Sequence, residues 1–249
     1  MLKVEYVKTS RDLIIFRLSG KYVTISCDSC GAVGFNPLDK VKVDGKRLGR
    51  YLARVALMET LSVGAQPVAC ALSLAINPNH QLDVLVEGVK CELKAADAES
   101  IPLILSSEKN FSVEQTGVGI SVVGVAERLK IRKAHRGDLV IAVGRPCTGI
   151  EVLQAEERCE TATLRDLAKL LRMRSIHEVI PVGSQGILHE AKVLAEDSGL
   201  EFKLKKDVKV DVKRSAGPST VILIAAETNI AEKLPKILGK PVEVVGRLM

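Results

Sequence analysis

Cys27-Asp28-Ser29-Cys30-Gly31-Ala32-Val33-Gly34-Phe35 is the stretch from which the rest of the chain is read. The residues before it, Tyr22 to Cys27, alternate in polarity and predict a strand. In that strand Val23, Ile25 and Cys27 share an apolar face, while Tyr22, Thr24, Ser26 and Asp28 form a polar row on the other. The strand is expected to end on Asp28 and open into a loop with glycines at 31 and 34. A carboxylate delivered into a glycine-bearing loop can place a metal ligand beside a phosphate, because glycine lets backbone N–H groups approach closely. The same stretch holds the chain's only Cys-x-x-Cys, so a thiol site and an acidic site are both open readings. A turn-forming Asp28 without any site is a third.

The cysteines argue for themselves only weakly. Six are present, at 27, 30, 70, 91, 147 and 159, and four scattered histidines offer no matching zinc pair. Pro37 and the glycines disfavour the helix that follows a thioredoxin-type motif.

Upstream, residues 2–28 read as three strands, with turns at Thr9-Ser10-Arg11 and Ser19-Gly20. Downstream, a helix is expected over 47–63, with Leu52, Val55, Ala56, Glu59 and Val63 on one stripe. Glu59 therefore falls among apolar residues, where it needs a cation, either Arg50 or Arg54 as an ion pair or a metal. Gly64-Ala65-Gln66-Pro67 stops that helix. There follow a strand at 68–76, a helix at 79–96, a strand at 101–105 that delivers Ser106-Ser107-Glu108-Lys109-Asn110 into a loop, and a strand at 118–125. Glu108 repeats the placement expected of Asp28.

The apolar pattern weakens across residues 130–137, which sets the expected domains at 1–134 and 135–249; a basic hairpin loop inside one domain is the other reading. The second half alternates: strand 138–143, helix 163–173, strand 178–182, helix 187–197, strands 200–205 and 219–226, helix 229–238, strand 241–246. This predicts helices layered on a sheet.

Composition narrows the function classes. With 47% hydrophobic residues over 249 positions, the chain can bury a core, and its 27% charged residues place it among globular proteins. No apolar run approaches the roughly 18–20 residues of a membrane span, so a soluble, cytoplasmic protein without a membrane partner is expected. The net charge of +6 favours anionic ligands, yet only 3% of residues are aromatic, too few to stack on bases, so no nucleic-acid partner is expected. There is no P-loop, no dinucleotide fingerprint and no nucleophile elbow. What stands out is a set of acidic residues at element ends or in an apolar stripe: Asp12, Asp28, Glu59 and Glu108. Carboxylates of this kind hold magnesium at phosphates.

The segment 28–34, Val55 through Pro67, the loop 106–110 with Gln115-Thr116-Gly117-Val118-Gly119, and Gly137-Asp138, Val182 to Gly186 and Ser215 to Ser219 resemble the aminoimidazole ribonucleotide synthase superfamily, which includes thiamine monophosphate kinase, selenophosphate synthetase and hydrogenase-maturation proteins. Cys27 to Gly34, Ala56-Leu57-Met58-Glu59 and Pro181 to Ser184 resemble its α-ribazole kinase branch. The resemblance implies a two-domain α+β fold built of α/β layers, and a homodimer whose N-terminal strands pair across the two-fold. It implies ATP in a cleft lined by both subunits, with Mg2+ at the phosphates. It makes Asp12, Asp28, Glu59 and Glu108 the metal ligands, Asp28 and Glu108 the catalytic pair, and Ser29, Gly31, Gly34, Asn110 and Thr116 the nucleotide contacts. The implied activity is phosphorylation of the 5′-hydroxyl of the nucleoside α-ribazole; Gln185-Gly186 stands where thiamine monophosphate kinases have Asp-Gly. The alternatives are another ATP-dependent synthase or ligase of the superfamily, or, prompted by Lys109 and Gln185, a nucleotide-binding regulator without turnover.

Overall fold

A computed structural model describes residues 4–249; the first residues of the expected N-terminal strand and domain lie outside the described residues. Among the described residues the order is β1 (Glu5–Tyr6), β2 (Leu13–Leu18), β3 (Lys21–Gly31), β4 (Val33–Gly34), β5 (Val41–Lys42), α1 (Gly45–Ser62), β6 (Gln66–Ala75), α2 (His80–Ala95), β7 (Leu103–Ser107) and β8 (Gly117–Ala126). It continues with β9 (Leu139–Gly144), α3 (Ile150–Glu157), α4 (Leu164–Leu170), β10 (Ile176–Pro181), α5 (Ile187–Asp197), β11 (Phe202–Leu204), β12 (Val221–Ala226), α6 (Leu234–Leu238) and β13 (Val242–Leu248), with a short 3-10 turn at Thr228–Ile230.

The chain divides into two compact units. Among the described residues, the first comprises 4–7, Asp12–Leu61 and Ala65–Arg128; the second comprises Lys8–Arg11, Ser62–Gly64 and Leu129–Met249. The expected break stood at residues 134 and 135.

The first unit is a six-stranded sheet in the order β1-β2-β3-β8-β6-β7, antiparallel except for the parallel pair β6 and β7. Its helices cover the face carrying Thr24 and Ser26. Ser26 donates its hydroxyl to the Ala56 carbonyl at 2.8 Å and lies 2.8 Å from the Thr60 hydroxyl. This reverses the alternation expected for β3. The polar row faces the helices, where Ser26 finds both its partners and the buried Thr24 hydroxyl makes no hydrogen bond among the described residues, while Val23 and Ile25 stay half-buried and Cys27 is exposed on the open face. The two helices meet at backbone distance: a Cβ on Gly49 would lie 2.0 Å from the Leu85 carbonyl oxygen, and one on Gly88 2.1 Å from that of Lys46. Only glycine permits that approach. Arg50 reaches Glu92 at 2.9 Å, and Glu59 is buried on α1.

The second unit is a five-stranded antiparallel sheet, β10-β12-β9-β13-β11. Val221, Leu223 and Ala225 pack with Ala191 and Leu194 of α5. The alternate residues Ile141, Val143, Ile222 and Ile224 are also buried, so both faces of the central strands are covered. Such strands read as continuous apolar runs, as these do. Local signals set the helix ends: Thr163 and Asp166 form a reciprocal capping box that starts α4. The helix α3, to which no sequence expectation applies, buries only Val152 and Ala155 of its eight residues.

Lys8–Arg11 is held in the second unit by a buried ion pair. The Arg11 guanidinium donates to Glu178 at 2.5 Å and to the Val179 carbonyl at 2.9 Å. Glu178 also accepts from the N–H groups of Arg132, Lys133 and Ala134 and from the Ser198 hydroxyl. A buried charge is sustained by just this kind of full hydrogen-bond complement.

Candidate active site

Asp28 does not end its strand. β3 runs on to Gly31, pairing Asp28 with Ile120, Ser29 with Gly119 and Gly31 with Gly117 of β8. The turn signals at 28–31 are overridden by this long-range pairing. Alternation then puts Asp28 on the helix-covered side and Ser29 on the open side. Burial pushes the Asp28 carboxyl up to about 6, against the hydrogen bond from the Ser29 backbone that lowers it. Cys30 shares the Asp28 side, and its thiol is pushed up to about 11, first by burial and then by the charges of Asp28 and Asp39. A thiol so placed is a poor nucleophile at neutral pH. Cys27 lies on the opposite face, about 10 Å along the strand by its rise per residue, beyond the reach of a disulfide. The Cys-x-x-Cys is therefore not a redox pair.

Asp39, passed over in the sequence, is buried and organises the loop beyond β3. It accepts from the Asn36 N–H at 2.7 Å, the Thr116 N–H at 2.8 Å and the Thr116 hydroxyl at 2.6 Å. Thr116 is thus engaged internally. Gly34 is close to the same pair; a Cβ there would fall 2.6 Å from the Thr116 hydroxyl oxygen.

Across the open face, one row of the sheet joins Ser29, Gly119, Ser73 and Ser106 on β3, β8, β6 and β7. Ser106 and Ser107 belong to β7 rather than to the loop expected after it. The small residues of this row floor a shallow, open hollow of about 460 Å³, with Glu108 at its rim. Glu108 uses Oε1 to accept from the Asn110 and Phe111 N–H groups, at 2.6 and 3.2 Å, and these bonds hold its carboxyl below the usual range. Asn77, also missed, staples that loop: its carboxamide donates to the Phe111 carbonyl at 2.8 Å and accepts from the Val113 N–H at 2.8 Å.

The register brings Asp28, Ser29, Gly31, Glu108, Asn110 and Thr116 to one end of the sheet, where β3, β6 and β7 finish and β8 begins. Leu13 pairs with Ser26, so exposed Asp12, one residue earlier, sits at the same end, level with Cys27. Glu59 is buried on the turn of α1 that carries Ala56 and Thr60, which meet Ser26, two residues before Asp28 on the same face of β3. The gathered set offers serine hydroxyls to an anion and hard carboxylate oxygens to a cation. Magnesium takes one or two such carboxylates and keeps waters otherwise. The half-buried Asp28, whose charge is penalised by burial, fits a cation site because a bound cation would offset that penalty.

No protein-family model and no curated protein matches the chain. Solved structures do. AaThiL complexed with AMPPCP and TMP superposes with a TM-score of 0.65 at 16% identity, over 96% of this chain and 84% of that one. E. coli HypE, a hydrogenase maturation protein, gives 0.66 at 17% identity, over 91% and 79%. T. maritima PurL complexed with ADP gives 0.64 at 13% identity, over 99% of this chain and 43% of that one. No helix among the described residues is long and apolar enough to cross a membrane. The chain therefore shares the α+β fold of these solved proteins, built in two compact units.

Proposed function

We propose that the chain is a magnesium-dependent ATP phosphotransferase acting on the 5′-hydroxyl of α-ribazole, in the cytoplasm where ATP is available. The observation that carries the nucleotide site is the Ser29-Gly119-Ser73-Ser106 floor with Glu108 at its rim. The fold is that of proteins solved with AMPPCP and with ADP, which supports the same reading. The choice of α-ribazole rests on the resemblance of residues 27–34, 56–59 and 181–184, and on Gln185.

In this reading the hydroxyls of Ser29, Ser73 and Ser106 donate to phosphate oxygens, and the bare backbone at Gly119 lets the phosphates lie close to the sheet. Asn110 holds the rim loop against them. Glu108, at the rim of the floor, would hold magnesium, which would supply charge neutralisation at the phosphates when bound; Asp28, on the helix-covered side, and Asp12, four strands from β7, would serve further ions at the same end of the sheet. The substrate oxygen bonds to the γ-phosphorus as the bridging β–γ bond breaks, ADP leaves, and the hydroxyl proton passes to water. No side chain need act as base, since positioning and electrostatics supply most of the rate in such transfers.

Magnesium-ATP with α-ribazole should yield ADP and the 5′-phosphate; absence of both from an active preparation would sink the assignment. Gly119→Val tests the hollow itself. A Cβ at 119 meets the Asp28 and Ser73 carbonyl oxygens at 3.7 Å, ordinary contact, so the variant should fold normally. Its side chain should fill the floor and weaken ATP by at least tenfold; unchanged ATP affinity would place the nucleotide elsewhere.

The proposal includes a homodimer. Tyr6, Ile14 and Ile104 on the first unit's sheet are 76%, 53% and 72% exposed, an apolar surface suited to a second copy. Light scattering should give twice the chain mass, and a monomer at assay concentration would remove the dimer.

A further inference from the structure

His135, Asp138 and His177 form a cluster in the second unit that the kinase reading does not use. Two of the chain's four histidines meet there. The His135 N–H donates to Asp138 Oδ2 at 2.8 Å, a turn that fixes the histidine beside the carboxylate. His177 Nδ1 lies 2.8 Å from the same oxygen. The two imidazole rings are 4.3 Å apart, and one ligand atom from each of the three residues lies within 4.8 Å of the others. The pairing of β10 with β12 is interrupted between Ile176 and Glu178, so His177 is the bulged residue. A bulge re-aims a side chain that regular pleating would direct elsewhere. Glu227 adds an acidic group at the rim, its Oε1 3.9 Å from His177 Nε2.

We propose that His135, His177 and Asp138 bind one divalent first-row transition metal of the zinc class. Imidazole nitrogens with a carboxylate oxygen suit zinc, cobalt or nickel rather than magnesium. Donors about 2.0–2.2 Å from an ion lie roughly 3–3.5 Å from one another, a contraction that rotation of the exposed His135 ring provides. Three protein ligands leave a fourth position for water or an anion. Cationic neighbours favour the anion: Lys130, Lys133, Arg172 and Arg174 line the hollow of about 290 Å³ that His177 borders.

The test needs no catalytic activity. The full chain, stripped with a chelator, is titrated with Zn2+ by calorimetry and with Co2+ by visible absorption. The expected result is one ion per chain, with d–d bands of low-coordinate Co2+. His135→Ala should weaken binding by at least roughly 10- to 100-fold. The His135→Ala, His177→Ala double variant should lose it while keeping its far-ultraviolet circular dichroism. Cys27→Ser, Cys30→Ser and His80→Ala, His189→Ala should retain the ion. Absence of binding by the parent chain, or unchanged affinity in His135→Ala, overturns the site.

Discussion

Without ligand at pH 8, Asp28→Asn is expected to melt higher than the parent chain, not lower. Burial raises the Asp28 carboxyl from 3.8 to about 6. The folded state thus holds the proton more tightly than the unfolded chain does. That preference is fully present below pH 3.8, is lost as the pH rises through about 6, and leaves an ionised carboxylate in a desolvating site above it. At 1.36 kcal/mol per pKa unit the full effect is on the order of 2–3 kcal/mol, or roughly 4–10 °C for a chain of this size. The neutral, nearly isosteric amide escapes it, so the two melting curves should converge at pH 4. With magnesium-ATP the order should reverse, because a ligand at about 1,000 times its dissociation constant stabilises the binding-competent chain by about 4.1 kcal/mol. A lower melting temperature for Asp28→Asn at pH 8 without ligand would mean that Asp28 is a structural residue.

Arg11→Ala is expected to cost about 3–5 kcal/mol in urea unfolding, the largest effect of a single side chain away from the site. Both members of the Arg11–Glu178 pair have fully buried side chains. Truncation leaves the Glu178 carboxylate with its backbone and Ser198 donors but no countercharge, and strips the Val179 carbonyl of its donor. It also removes the cation 3.4 Å from Asp197. Arg11→Lys should recover part of the loss, because a single ammonium cannot serve the carboxylate and the carbonyl in the guanidinium's geometry. A cost below about 1 kcal/mol for Arg11→Ala would show that the four remaining donors of Glu178 suffice without a charge.

Much of the fold was legible because periodicity survives burial. The helix expected over 187–197 is α5, and that expected over 47–63 is α1, at Gly45–Ser62. What misled was local punctuation competing with distant partners. Asp28 and Gly31 look like a turn, yet ten consecutive pairs to β8 carry the strand through them. Thr24 and Ser26 look solvent-facing, yet Ser26 finds its partners on α1. The site divides the same way. Glu108 could be proposed from position alone, and Ser29 from the family resemblance. Asp39 could not, since its partner Thr116 is 77 residues away, nor could Asn77, 36 residues from Val113. Asn36-x-x-Asp39 carried one faint signal, the short-range pattern of a carboxylate accepting an N–H of its own loop.

The strand order of the first sheet has a consequence for how the chain acquires it. β3 lies between β2 and β8, and β6 between β8 and β7, so β8 joins two halves of the sheet. It is also the last strand of that unit to be synthesised. Until it emerges, the β2–β3 hairpin and the parallel β6–β7 pair each present an unpaired edge. Closing such distant pairings is slow, and open edges are where nascent chains associate wrongly. Substitutions that delay the docking of β8 should therefore appear first as poor yield during synthesis, before the stability of the finished protein changes.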